Sequence, residues 1–361
     1  MTEAVLDEVD YLLITALQHA PRADWRTVGA LIGVDATTAA RRWARLTGDG
    51  LAWLSCHPSP AVIGDRVVAF IEVDCVRGRL YEVCEQLADD APLFNIEHAT
   101  GARDLLLTAV LSSRAHLARY VGFRLGGLDG VAATRTQIAT ALHTEGSRWR
   151  LDRLHGAPQG APHGAAREPA PAAAPAAVTL GAGDRELVML LAQDVRQSVE
   201  RLARAAGLSP TTVRRRLARL DAARAISYRC EAARSVSGWP VSATLLGTVP
   251  AADSARVVAL LSAMRETRLC ASLSGPCNLM TTVWLRSVDD IQPFEASLVK
   301  RVPGLEVKDR SVTLWQLKHA GQVLDPDGRL LRSVPLSDLW DDTGAGDAEA
   351  ALLERLRSPS R

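Results

Sequence analysis

Two ten-residue stretches hold most of the side chains in this sequence that could do directed chemistry. TTAARRWARL spans 37–46 and TTVRRRLARL spans 211–220, with seven of ten positions identical. At helical spacing Ala39, Trp43 and Leu46 fall on one side of the first stretch, and Val213, Leu217 and Leu220 on the same side of the second. Thr38, Arg41, Arg42 and Arg45 are left on the opposite face. Their counterparts are Thr212, Arg215, Arg216 and Arg219, with Arg214 alongside. Thr37, Ser209 and Thr211 sit at the helix starts, and Ser209-Pro210 is a cap followed by proline at the first helical position. No acid follows the cap in either stretch, whereas an ordinary solvated face mixes in glutamates. A face of arginine and threonine alone suits phosphate and guanine-edge contacts, so double-stranded DNA is the expected partner.

These stretches lie 174 residues apart (211 minus 37). The same offset carries Asp10 to Asp184, Gly33 to Gly207, Gly101 to Gly275 and Gly130 to Gly304. The chain is therefore read as a duplicated unit. Between the copies lies GAPQGAPHGAAREPAPAAAPAA, 156–177, in which 18 of 22 residues are Ala, Pro or Gly. Such a segment has almost nothing to bury and reads as a tether.

Each unit opens with helices. Leu6, Val9, Leu13 and Leu17 mark the first, Asp24 caps a second to about 32, and Asp35 caps the third after the Gly33 turn. Asp184, Ser198 and Ser209 play the matching parts in the second copy. Then come strand 67–73, a helix through Leu80, Val83, Cys84 and Leu87, strands near 93–99 and 105–111, helix 114–125 and a strand from 130. The second copy repeats this with strand 241–247, a helix through Val257 and Leu261, strands 267–273 and 279–285, a helix near 291–298 and a strand from 305. That order, β-α-β-β-α-β, is the ferredoxin-like arrangement. The fold class expected is α+β, a tandem repeat of helix-turn-helix and ferredoxin-like domains. The boundaries are 1–55, 62–150, the linker 156–177, 178–230, 238–320, and an acidic, loosely ordered tail 321–361 with a short helix at 348–357.

Composition removes several function classes. The 361 residues are 47% apolar and 23% charged, with a net charge of +1, so a nucleic-acid surface must be a local patch. No apolar run reaches the ~18–20 residues of a membrane helix, and the acidic N-terminus is no secretory signal. Six cysteines without CxxC spacing suit a reducing cytoplasm rather than a disulfide or zinc scaffold. The eight histidines form no HxH or HExxH pattern, and no Walker loop or strand-linked GxGxxG is present, so no cofactor is indicated. His98 precedes a hairpin and reads either as a core histidine or as a neighbour of a ligand pocket.

The sequence resembles the Lrp/AsnC ("feast/famine") transcriptional regulators. The matching residues are LDEVDYLLITALQ at 6–18, Arg22, Gly33, the 37–46 helix and Gly50-Leu51-Ala52. In the second copy they are Asp184, ARAAGLSPTTVRRRLARL at 203–220 and Ile226. TGARDLLL at 100–107 is similar to the family's effector-domain hairpin, and LDGV at 128–131 to its later turn. Trp25 and Arg26 depart from the small polar residues usual at the start of helix two. The resemblance implies a DNA-binding regulator modulated by a small, amino-acid-like effector and assembled through its effector (RAM) domains. Here the two halves would pair as an intramolecular pseudo-dimer, with higher homo-oligomers built from it.

The effector residues implied are Thr100, Gly101, Arg103 and Asp104 in the first hairpin, with Gly275, Asn278 and Met280 in the second. Asp104 could hold an ammonium group, or it could simply cap the turn. Asn278 loses that charge, so the first unit is expected to bind an amino acid. Because Trp43/Leu217 and Ala40/Arg214 differ, the operator is expected to be an imperfect palindrome. The alternative is an enzyme on the same scaffold, such as a fused sirohaem decarboxylase. GPCNLM at 275–280 echoes part of the substrate strand such an enzyme is expected to have, but lacks its aromatics and an adjacent His or Tyr.

Overall fold

The computed structural model describes residues 6–59, 62, 66–146, 151, 179–340 and 346–357. The tether at 156–177 lies outside the described residues. The first unit contains α1 (Glu8–His19), α2 (Trp25–Ile32), α3 (Ala36–Gly48), β1 (Ala52–Pro58), β2 (Val67–Cys75), α4 (Leu80–Ala88), β3 (Leu93–Ala99), β4 (Leu105–Leu111), α5 (Arg114–Arg119) and β5 (Val131–Thr144). The second contains α6 (Ala182–Gln193), α7 (Val199–Ala205), α8 (Pro210–Ala222), β6 (Ile226–Ala232), α9 (Arg234–Ser237), β7 (Val241–Thr248), α10 (Ser254–Ala263), β8 (Thr267–Leu273), β9 (Leu279–Leu285), α11 (Ile291–Arg301) and β10 (Glu306–His319). α1 and α6, α3 and α8, β1 and β6, β3 and β8, and β4 and β9 keep the 174-residue offset at both ends.

Each ferredoxin-like sheet finds its missing partner in the other copy. The strands run β10-β3-β4-β2-β5-β8-β9-β7, and β7 returns to β10, so eight antiparallel strands close a barrel. The joints between units are β5 to β8, with Ala139 opposite Leu273, and β10 to β3, with Thr313 opposite Ala99. Closure removes the exposed edges that would otherwise template aggregation. Side chains alternate across the wall, as strand geometry requires. Ala69, Ile71 and Val73 face the helices outside, where they pack with Val83 and Leu87. Phe70 and Leu106 face inward against Leu246, Ala271 and Met280.

The helical domains are also interlocked. β1 pairs with β6, and each strand packs on the helical domain of the other copy: Cys230 and Ala232 join the core around Leu13 and Leu17, while Cys56 joins that around Leu187 and Leu191. The two copies thus form one pseudo-dimer within a single chain.

The segment after 320 is more ordered than its composition suggests. β11 (Gln322–Leu324) and β12 (Leu330–Ser333) extend the sheet beside β10, and Leu330 N–H donates to the Gly50 carbonyl at 2.9 Å. Leu336 and Leu339 then pack against Val110 and Phe94. The apolar residues Val323, Leu324 and Leu330 carry this hairpin, a signal outweighed by the acids further on. The short terminal helix, α12, spans Asp347–Arg357. No helix among the described residues is long and apolar enough to cross a membrane.

Two histidines belong to the buried interior. His57 stacks on Phe94 at 5.0 Å, and burial lowers its pKa to about 4 against a weaker opposing pull from Glu145. Burial likewise lowers His319 to about 4, despite its contact with Glu231. Unfolded histidines titrate near ~6.5, so between about 4 and 6.5 the unfolded chain binds more protons and stability rises with pH. Urea unfolding across that window should show this slope. His57→Gln should reduce it by about one proton, or ~1.4 kcal/mol per pH unit. A slope unchanged by the substitution would contradict the neutral, buried assignment.

The strand joints also make a prediction about the tether. A protease site placed between residues 156 and 177, once cut, should leave two halves that elute together as one particle. Separation into two species without denaturant would contradict the interlocked arrangement.

Candidate nucleic-acid interface

Both recognition helices are started by local hydrogen bonds. Gly33 and Gly207 adopt φ of 78° and 63° in the turn before them, a left-handed conformation that glycine reaches without strain. Asp35 then accepts from Thr38 N–H at 2.8 Å and from the Thr38 hydroxyl at 2.7 Å. Those bonds hold the Asp35 carboxyl below the usual carboxylate range. Ser209 accepts from Thr212 N–H at 3.1 Å in the second copy. Thr38 and Thr212 are therefore cap partners, while Thr37 and Thr211 stand exposed beside them. The buried faces are Ala39, Trp43 and Leu46 in α3, and Val213, Leu217 and Leu220 in α8.

The arginines divide into two groups. Asp10, 1% exposed, receives Arg42 at 2.9 Å and Arg45 at 2.6 Å, and Arg42 also meets Asp7 at 2.7 Å. Asp184, 3% exposed, receives Arg216 at 3.3 Å together with Arg219. Each acid also closes the first turn of its own helix, through Asp7 N–H or Gly181 N–H. One buried carboxylate thus pins α3 to α1 and α8 to α6. The helical pattern could place these four arginines away from the core but could not show that an acid 35 or 32 residues upstream claims them. The signal was present: Asp10 and Asp184 are one of the anchors of the repeat.

Arg41 and Arg215, by contrast, are exposed and make no ion pair among the described residues. Arg214 reaches Glu200 at 3.0 Å on the open surface, where such a pair contributes little.

A reciprocal clasp fixes how the two helical domains face each other. Arg22 donates to the carbonyls of Val195 and Gln197, which flank Arg196. Arg196 donates to those of Pro21 and Ala23, which flank Arg22, at 2.8 and 2.7 Å. The Arg196 guanidinium also lies 3.9 Å from the centre of the Trp25 ring. Trp25 is thereby tied to the clasp rather than to the exposed face. Arg22 and Arg196 stand at the 174 offset, so the repeat alone could have paired them.

The effector-domain hairpins are braced within their own unit and also meet the last strand of the other. Asp104 accepts from Cys75 N–H at 2.7 Å, and Asn278 exchanges two hydrogen bonds with Val249 at 2.9 and 2.8 Å. Cys75 and Val249 are equivalent positions, so the amide and the carboxylate make the same brace. The Thr100 hydroxyl accepts from Val312 N–H of β10 at 2.9 Å, and Ser274 accepts from Ile138 N–H of β5 at the same distance. Gly101 and Gly275, at φ of 100° and 128°, lie against residues 310–311 and Gln137 of those strands. Arg103 is buried between Glu72, at 3.4 Å, and Asp309. Of the seven hairpin residues only Met280 faces the barrel interior.

The AsnC-type helix-turn-helix domain family matches residues 6–47 and 182–221, the two helical domains just described. The chain therefore carries two AsnC-type helix-turn-helix domains, one in each of its two fused units. It is 28% identical over 138 residues to the HTH-type transcriptional regulator PH0140 of Pyrococcus horikoshii, which covers 38% of this chain and 87% of that protein. It is 24% identical over 142 residues to the HTH-type regulator FL11 of Pyrococcus furiosus, covering 39% of this chain and 93% of that protein. Such relatives are one unit long. The siroheme decarboxylase NirDL matches both units at once, with a TM-score of 0.59 over 96% of this chain and 100% of that one. At 12% identity that likeness concerns the fold alone.

The two acid hubs generate a stability prediction. Asp184→Ala removes a cap and two charge-assisted hydrogen bonds, and should lower stability by ~1–3 kcal/mol. Arg216→Ala should act in the same direction, because it strips a partner from a buried carboxylate. Thermal unfolding checks both. An unchanged melting temperature in both variants would free these arginines for another role.

Proposed function

We propose that this protein is a sequence-specific DNA-binding transcriptional regulator whose two recognition helices, α3 and α8, enter successive major-groove faces of one operator. The observation that carries this reading is the pair of exposed, acid-free helix faces, held rigidly by Asp10 and Asp184 and set in mutual orientation by the Arg22–Arg196 clasp. Rigid presentation suits helix-turn-helix docking, in which half-sites about one DNA turn apart must be met together. Within each face Arg41 and Arg215 are the side chains available to bases or phosphates. Thr37 and Thr211 stand at the helix N-termini, where backbone N–H groups also favour phosphate. Arg42, Arg45, Arg216 and Arg219 act chiefly by orienting the helices, with their exposed edges adding positive potential.

The two faces are not copies. Ala40 stands opposite Arg214, and Arg26 opposite Glu200, in the 174-residue alignment. The operator is accordingly an imperfect palindrome, with one half-site meeting the more densely basic helix. A small-molecule effector would modulate binding by shifting assembly or helix spacing, a coupling typically worth ~1–3 kcal/mol.

Recovery of bound sequences from a randomised duplex library tests the reading directly, and an enriched two-half-site sequence is expected. On that sequence Arg41→Ala or Arg215→Ala should weaken binding by ~1–3 kcal/mol if the side chain reads guanine, or reduce the salt slope by about one if it meets phosphate. No enriched sequence, or full affinity in both variants, would refute the proposal.

A further inference from the structure

Residues 321–340 follow the second unit and touch, in turn, each part of the chain that positions a recognition helix. They start on the barrel, where Gly321 N–H donates to the Phe94 carbonyl at 3.0 Å and the Trp315 indole N–H to the Leu324 carbonyl at 3.3 Å. Leu324 and Leu330 then pack with Trp53 of β1 and with Ala233, which follows β6. Leu336 and Leu339 return to the barrel wall at Val110. Trp340 joins the core of the second helical domain, which contains Leu187 and Leu191, and the Arg185 guanidinium lies 5.7 Å from its ring centre. One continuous segment thus ties the first helical domain, the barrel and the second helical domain together.

The segment also meets both connections on which the helical domains could pivot. Between β1 and β2, Arg66 Nε–H donates to the Leu339 carbonyl at 2.9 Å. Between β6 and β7, a Cβ at Gly328 would lie 3.1 Å from the Arg234 nitrogen, so the hairpin tip presses on that backbone. The contact below α3 is closer still. Gly50, at φ 66°, accepts from Leu330 N–H at 2.9 Å. A Cβ at Gly50 would stand 2.7 Å from the Leu330 carbonyl oxygen and 3.1 Å from its nitrogen, and backbone atoms cannot swing aside. The left-handed turn does not by itself demand glycine. Arg224, at the 174 offset from Gly50, makes the same turn at φ 48° with a full side chain. What excludes a side chain at residue 50 is the hairpin lying against it.

We propose that residues 321–340 are a strap that locks both helical domains to the barrel and so fixes the separation and phase of α3 and α8. Gly50, Leu330 and Trp340 are its positioning residues. Each base pair added between two half-sites shifts one of them by ~3.4 Å and turns it by about a tenth of a helical turn. Recognition helices held at one separation discriminate sharply among such spacings, and helices free to shift do not. As a determinant of operator spacing the strap rests on the function proposed above. As a constraint on helix separation it does not.

The test places a nitroxide-bearing amino acid at positions 41 and 215 of the full chain. Pulsed electron paramagnetic resonance then reads the distance distribution without DNA. Two variants loosen the strap at different points. Gly50→Asn keeps the left-handed turn, which asparagine tolerates, and drives a Cβ against Leu330. Trp340→Ala removes the anchor in the second helical domain, and serves if Gly50→Asn does not fold. Faster amide hydrogen exchange within 322–336 reports release. The parent should give one narrow distribution, and each released variant one at least twice as wide. On a duplex selected by the parent, adding or removing one or two base pairs between half-sites should cost the parent at least tenfold in affinity. The same changes should cost the variants no more than threefold, while their binding to a single half-site stays at the parent's level. The proposal is overturned if released variants keep the narrow distribution or the tenfold discrimination. Loss of single-half-site binding would also overturn it, by tracing the effect to damage in the recognition helix. A parent that binds no duplex would instead refute the DNA-binding reading, and the distance distributions would still decide the strap.

Discussion

Everything in this chain depends on the double pairing of two strands. β5 is hydrogen-bonded to β2 of its own unit and to β8 of the other, and β10 is shared in the same way between β7 and β3. A lone four-stranded ferredoxin-like sheet would leave an apolar face and two open edges in water. Joining the sheets at both edges buries the faces against each other and closes the ladder of backbone hydrogen bonds. The helical domains inherit their positions from that closure, because β1 and β6 pair with each other above the barrel. The strands thus help to set the geometry of the recognition helices, together with the Arg22–Arg196 clasp.

Much of this was legible in the sequence because a duplication states the same information twice. The caps at Asp24, Asp35, Ser198 and Ser209 each accept from the backbone three residues on. The alternation in β2 separates the barrel interior from the helix-covered face. Less legible was the division of labour among arginines. Periodicity reports which side of a helix a residue occupies, and Arg42 and Arg41 lie on the same side. Only the arrival of Asp10 from another helix distinguishes them, and that is tertiary information. The hairpins also depend on tertiary information. The turns at Gly101 and Gly275 are where each unit grips the last strand of the other.

The tail shows how composition can mask pattern. Acids between 338 and 349 dominate its overall charge, while the residues that order it lie earlier and are few. Gly328, at φ 78°, and the Asp325–Arg329 hydrogen bonds make a tight turn, which lets Leu324 meet Leu330 across the hairpin. Among the described residues this hairpin follows the second unit alone, and Leu336 joins the lining of the barrel cavity from it.

Fusion allows asymmetry inside the barrel. In a homodimer any residue near the twofold axis meets its own copy, so an arginine on the inner wall would face an arginine. A fused pair is free of that restriction, and each wall can change independently. Substitutions on the outer faces and in the joints are constrained by packing that both units share, and five pairs of elements keep the same offset at both ends. The inner wall has no such duplicate constraint once the chain is fused. There Phe94 stands where the second unit has Arg268, and Val110 where it has Trp284, while Glu97, Thr108 and Glu145 of the first unit also line the cavity. Burying Arg229, Arg268 and Arg234 is unfavourable for stability alone, since well-packed apolar residues usually serve as well or better. The same fold would be more easily stabilised by repeating the first unit's apolar wall. That the second wall carries buried arginines paired with Glu231 and Glu145 instead marks a place where the two fused units have diverged.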